Sequence, residues 1–151
     1  MPEVKPKIRD RRTFVLDPMR RVERAAHREL AELLASIGYP GVGAPQLLVF
    51  ANVPRWDGIR MKDLADRMQL TQGAVTQLVA ALERRGLVER VRDLDDGRGV
   101  IVRPTLASNR GYEASRDRLA EMEQRWRTLV GPRRWATFRA VLEELADAVE
   151  R

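Results

Sequence analysis

A mainly α-helical chain with a small β-wing is predicted by three observations. Apolar residues recur every three or four positions from Met19 to Ile37, Met61 to Met68, Ala74 to Leu82 and Tyr112 to Val149. That is the spacing of one buried face on a helix of 3.6 residues per turn. Two of those segments are short and separated only by a few residues around Thr71. After them an Asp- and Gly-rich stretch, Asp93 to Gly99, divides two apolar, partly β-branched runs. Two short helices, a tight turn and a hairpin outline a winged helix-turn-helix.

The elements follow in order. Residues 1–12 hold five basic residues, two acidic ones and two prolines. They read as a basic arm, either touching nucleic-acid backbone or simply solvated. From Leu16 to Ile37, Met19, Val22, Ala26, Leu30, Leu33 and Ile37 mark a first long helix, stopped by Gly38-Tyr39-Pro40-Gly41. A shorter helix spans Pro45 to Val53, with Pro45 tolerated in its first turn and Pro54 closing it. Met61, Leu64, Ala65 and Met68 define the next helix. Thr71 stands where a hydroxyl can cap the helix that carries Ala74, Val75, Leu78, Val79 and Leu82. Gly86, just past Arg84 and Arg85, suits the left-handed residue that ends a helix. Leu87, Val88 and Val91 form one wing strand and Val100-Ile101-Val102 the other. Tyr112, Ser115, Leu119, Met122, Trp126 and Leu129 mark a long helix broken at Gly131-Pro132, and Trp135, Phe138, Leu142, Leu145 and Val149 mark a last one.

Composition narrows the function. The 151 residues contain no cysteine, which excludes disulfides, thiolate metal sites and a thiol redox switch. No apolar run approaches a membrane span and the N-terminus does not resemble a signal peptide, so a cytoplasmic protein is expected. The net charge of +6 suits a polyanionic partner. A single histidine gives no metal or catalytic pair, and Glu143-Glu144 and Asp95-Asp96 have no nucleophile or base beside them. No phosphate loop, metal cluster or triad is present. An enzyme is not expected, and neither is a cofactor.

The chain resembles the MarR family of bacterial transcription regulators. The resemblance is carried by Gln46, Leu64-Ala65, Thr76, the block Leu82-Glu83-Arg84-Arg85-Gly86-Leu87-Val88-Glu89-Arg90, and Asp93 to Arg98. Its specific part runs from Leu64 to Val102, with long helices on both sides. It implies a homodimeric DNA-binding regulator, a ligand-responsive repressor on a pseudo-palindromic operator. The other reading is a winged-helix interaction module that makes no DNA contact. The implied organisation is an arm (1–12), an N-terminal dimerisation helix (13–42), a DNA-binding domain (43–104) and C-terminal dimerisation helices (105–151).

A helix in the major groove reads bases with its first turns, so Gln72, Gly73, Thr76 and Gln77 are the candidate base contacts. Gly73 would allow close approach to phosphate, and Thr76 could bond phosphate or touch a thymine methyl. Gln72 and Gln77 match the donor and acceptor pair of adenine. Members of the resembled family often carry arginine at the place of Gln77, which implies a shift toward A·T here. The segment Thr71 to Leu82 has no charge, so backbone contacts must come from its surroundings. The candidates are Arg55, Arg60, Lys62 and Arg67 ahead of that helix, Thr71 at its cap, Arg84 and Arg85 after it, and Arg90 and Arg92 on the wing. Family wings imply minor-groove insertion by Arg98, oriented by Asp96 or Asp95, although Gly97 replaces the first of two wing arginines. The resemblance also implies a pocket for a small aromatic or anionic effector, with His27, Tyr39, Phe50 and Trp56 as its candidate lining. Met19, Leu30, Leu119, Met122, Trp126, Trp135, Phe138, Leu142 and Leu145 are the expected dimer interface.

Overall fold

The periodic segments fold as six helices and three strands in the computed structural model, which describes residues 14–97 and 99–149. Helix α1 spans Leu16–Ser36 and α2 Ala44–Asn52. Strand β1 (Ile59–Arg60) runs directly into α3 (Met61–Met68), and α4 covers Gln72–Glu83. Strands β2 (Val88–Arg92) and β3 (Val100–Pro104) form the hairpin. A single 3-10 turn, Leu106–Ser108, leads into α5 (Asn109–Val130), and α6 is Pro132–Val149. The long helix after the wing thus begins a turn earlier than its first apolar marker, Tyr112. The basic arm at residues 1–12 lies outside the described residues.

Local chemistry explains the boundaries. The Gly43 amide donates to Gln46 Oε1 at 3.1 Å, closing the first turn of α2 around Pro45. Thr71 caps α4, its hydroxyl oxygen accepting from the Ala74 amide at 3.2 Å. Gly86 takes φ +68° after α4, and the Leu87 amide returns to the Leu82 carbonyl at 3.0 Å. The tight turn between α3 and α4 has no glycine. Gln69 adopts φ 51° there, and the Leu70 amide bonds the Ala65 carbonyl.

The sheet is antiparallel in the order β1-β3-β2, with Ile59 opposite Val102 and Val91 opposite Ile101. Val49, Leu64, Val75, Val79, Leu82, Val88 and Val102 interlock beneath it with almost no exposure, so α2, α3, α4 and the sheet share one core. Packing of α1 onto α5 buries Leu30 and Met122, to 6% and 1% exposure, within the single chain. This corrects their assignment to the dimer face. The stripe that carries them is answered by a neighbouring helix of the same protomer. Glu29 of α1 locks that contact by accepting from Arg118 and Arg125 of α5, at 3.2 and 2.7 Å.

Helix α6 differs. None of its described side chains is buried. Trp135 packs on Trp126 across the α5–α6 turn, ring centroids 6.1 Å apart, and on Phe138 at 5.5 Å. Phe138, Leu142 and Leu145 are exposed, as are Met19 on α1 and Leu119 on α5. Among the described residues no helix is long and apolar enough to cross a membrane.

Candidate nucleic-acid interface and cavity

Burying Val75, Val79 and Leu82 turns the other side of α4 outward, and Gln72, Gly73, Thr76 and Gln77 are all exposed there. An added Cβ at Gly73 would meet nothing within 4 Å, so this corner of the helix start is open. The Thr76 hydroxyl donates to the Gln72 carbonyl at 2.7 Å. That bond uses the only hydroxyl proton and leaves the methyl and the oxygen lone pairs for a partner.

The cations around α4 divide by what they already hold. Lys62 and Arg84 are exposed and have no ion-pair partner among the described residues. Arg90 grips Glu83 at 2.6 Å, tying the end of α4 to β2 and holding the Glu83 carboxyl below its usual range. Arg92 donates to the Gly97 carbonyl at 2.9 Å and so braces the wing turn. Arg60 bonds Asp93, a carboxylate only 2% exposed. Burial opposes the Asp93 charge most strongly. The Asp95 amide, Arg60 and the Asp96 amide together outweigh it and bring the carboxyl below its ordinary value. Arg98 lies outside the described residues. The acidic residue that organises this turn is Asp93, and the expected orienting of Arg98 by Asp96 or Asp95 falls outside the described residues.

Arg55 and Arg67, candidate phosphate contacts by sequence, line a cavity of about 540 Å³ between α1, α2 and α5. Arg55 lies between the rings of Trp56 and Tyr112, 4.9 and 4.7 Å from their centroids, and donates to Glu113 at 3.1 Å and Asn109 at 3.3 Å. Arg67 reaches the Asn52 carbonyl at 3.4 Å. His27, Tyr39 and Phe50, which the family resemblance offered as lining of an effector pocket, border this cavity, and Arg116 joins them. Trp56 does not. It is 73% exposed, held outside by the guanidinium on its face. Tyr39 is fixed by donating to the Ala107 carbonyl at 2.6 Å and by packing over Gly111, where a Cβ would sit 3.1 Å from its ring. Arg55, Arg67 and Arg116 were missed as lining because their sequence neighbours do not show which way they point. Among the described residues no group of histidine and carboxylate side chains could hold a metal ion.

Comparison with known proteins places this arrangement. The MarR family model matches residues 43–100, the segment from the start of α2 to the start of β3. The HTH-type transcriptional repressor MdtR of Bacillus subtilis is 31% identical over 67 residues, 44% of this chain. The match spans only 43% of that repressor's length. The PcaV transcriptional regulator of Streptomyces coelicolor, solved with its natural ligand, superposes with a TM-score of 0.66 at 26% identity, covering 93% of this chain and 96% of PcaV. The S. aureus MepR–DNA complex gives a TM-score of 0.69 at 20% identity, over 89% of this chain and 97% of MepR, a likeness of fold.

Proposed function

We propose, from a chain whose residues 43–100 match the MarR family and whose fold is that of its regulators, that the protein is a homodimeric DNA-binding transcriptional repressor. The observation that carries this reading is the exposed face of α4. Gln72, Gly73, Thr76 and Gln77 stand on one side, capped at Thr71 and flanked by Lys62 and Arg84. In this reading Thr76 offers its methyl to thymine, since its hydroxyl proton is already engaged. Gln77 pairs with adenine N6 and N7. Thr71, Lys62, Arg84 and Arg92 hold the phosphates, while Arg60 and Arg90 serve the protein's own framework.

A second copy covers the apolar side of α6 with Met19 and Leu119, and a twofold pair presents two α4 helices to successive major grooves. The operator is then a pseudo-palindrome with half-sites about 10 base pairs apart. The 540 Å³ cavity takes a small aromatic or anionic effector, which acts by favouring one spacing of the two DNA-binding modules.

One observation favours the competing reading, an interaction module without DNA contact: α4 carries no charge before Glu83. Selection from a random-sequence duplex pool decides between them. The wild type should enrich a two-fold motif, and Gln77→Arg should move preference from A·T toward G·C at one position per half-site. Failure to enrich any motif would remove the DNA-binding reading. Identical motifs from both proteins would remove the role given to Gln77.

A further inference from the structure

We infer that Asp93 and Arg60 are positioning residues for DNA binding: together they fix the wing to the helix-turn-helix so that both meet the duplex as one rigid unit, with Leu94 presented at the wing tip. The inference rests on the DNA-binding reading above.

Sheet pairing does not determine the path of this loop. The β2–β3 ladder ends at Arg92 opposite Val100, and beyond it the chain must turn within residues 93–99. Asp93 directs that turn from beneath. Its amide donates to the Gly99 carbonyl at 2.9 Å, and its Oδ1 accepts from the Asp95 and Asp96 amides at 3.0 and 3.3 Å. The Gly99 amide closes back on the Asp96 carbonyl at 2.7 Å. Gly99 packs tightly against the clamp, since a Cβ there would lie 3.0 Å from Asp93 Cβ and 3.1 Å from its carboxylate. The other carboxylate oxygen takes the Arg60 guanidinium. Arg60 is the last residue of β1 and the residue from which α3 starts, paired in the sheet with Ile101. One buried carboxylate thus joins the wing turn to the first residue of the helix-turn-helix.

The clamp has an outward consequence. With the Asp93 side chain directed in, Leu94 is directed out and is 94% exposed, the extreme among the large apolar residues described. A leucine at a wing tip is suited to the apolar sugar walls of a minor groove, where side chains of this type serve as wedges. The expectation is that loosening Asp93 frees the wing while α3 and α4 keep their apolar core of Leu64, Val75, Val79 and Leu82.

The test compares Asp93→Ala, Asp93→Asn and Arg60→Gln with Arg103→Gln, which breaks only the exposed Arg103–Glu89 pair of the same hairpin. The probe is the duplex enriched by the wild type from the random pool. Expected are binding about tenfold or more weaker for Asp93→Ala, less for Asp93→Asn and Arg60→Gln, and none for Arg103→Gln. Hydroxyl-radical protection of the minor groove should vanish where the wing lies, while the motif read by α4 is unchanged. The double variant Asp93→Asn/Arg60→Gln should be no weaker than Asp93→Ala, because both changes break one unit. Should Asp93→Ala not fold, Asp93→Asn carries the test, since its amide oxygen still accepts from the turn. Undiminished minor-groove protection in the folded variants overturns the inference, and so does a motif that degrades in step with affinity. A wild type that enriches no duplex removes the DNA reading and this inference together. A wild type that binds with variants that bind equally removes the inference alone.

Discussion

The winged module and the terminal helices are built on opposite terms. Between α2 and β3, seven large side chains reach almost zero exposure, drawn from three helices and the sheet. In α6 no described side chain is buried, although its apolar spacing is as regular as any in the chain. A stripe records that a face must be covered and is silent about what covers it. For α3 and α4 the cover is the rest of the module, for the middle of α1 it is α5, and for α6 it is the proposed second copy.

The sharpest way to test this contrast is to remove volume from the self-contained half. Leu82→Ala, at a site of 0% exposure, should destabilise the protein by about 2–5 kcal/mol, measured by denaturant titration. A loss below about 1 kcal/mol would mean that the core can collapse around the cavity and is less tightly interlocked than described. The converse change acts on α6. Phe138→Glu with Leu145→Glu should weaken self-association by about a hundredfold in sedimentation equilibrium, with the helix content of the module retained. Unaltered association would place the second copy elsewhere. The smallest effect concerns the seam between α1 and α5. Hydrogen bonding from Arg125 holds the Glu29 carboxyl below its ordinary value against burial, with Arg118 adding to it. A group depressed on folding contributes stability at pH above its unfolded value, and that contribution fades as pH falls through its folded one. Glu29→Gln should therefore lower the melting temperature slightly at neutral pH and leave it nearly unchanged at acid pH, which flattens the acid limb of the profile. A flattening on the alkaline side instead would contradict this sign.

These halves also differ in how far the sequence disclosed them. Helices, strands and their ends were legible because their causes are local. Thr71 caps three residues onward, Gly86 permits φ +68°, and β-branched runs flank an Asp- and Gly-rich turn. The α3–α4 turn was located, but the left-handed Gln69 was not, since no glycine marks it. The exposed face of α4 followed from its periodicity alone. The sorting of the cations did not, because a guanidinium is defined by its partner. Arg60 finds Asp93 thirty-three residues away and Arg55 finds Glu113 fifty-eight away. Apolar residues meet the same limit: buried Met122 shares its stripe on α5 with exposed Leu119, and buried Leu30 shares its stripe on α1 with exposed Met19 and Val22.

Arg55 extends from the cavity wall to the indole of Trp56, which faces solvent on its other side. The protein thereby carries an optical gauge of its own interior. A ligand that moved that guanidinium would alter the electrostatics over an emitting ring and should be visible in intrinsic fluorescence without a label.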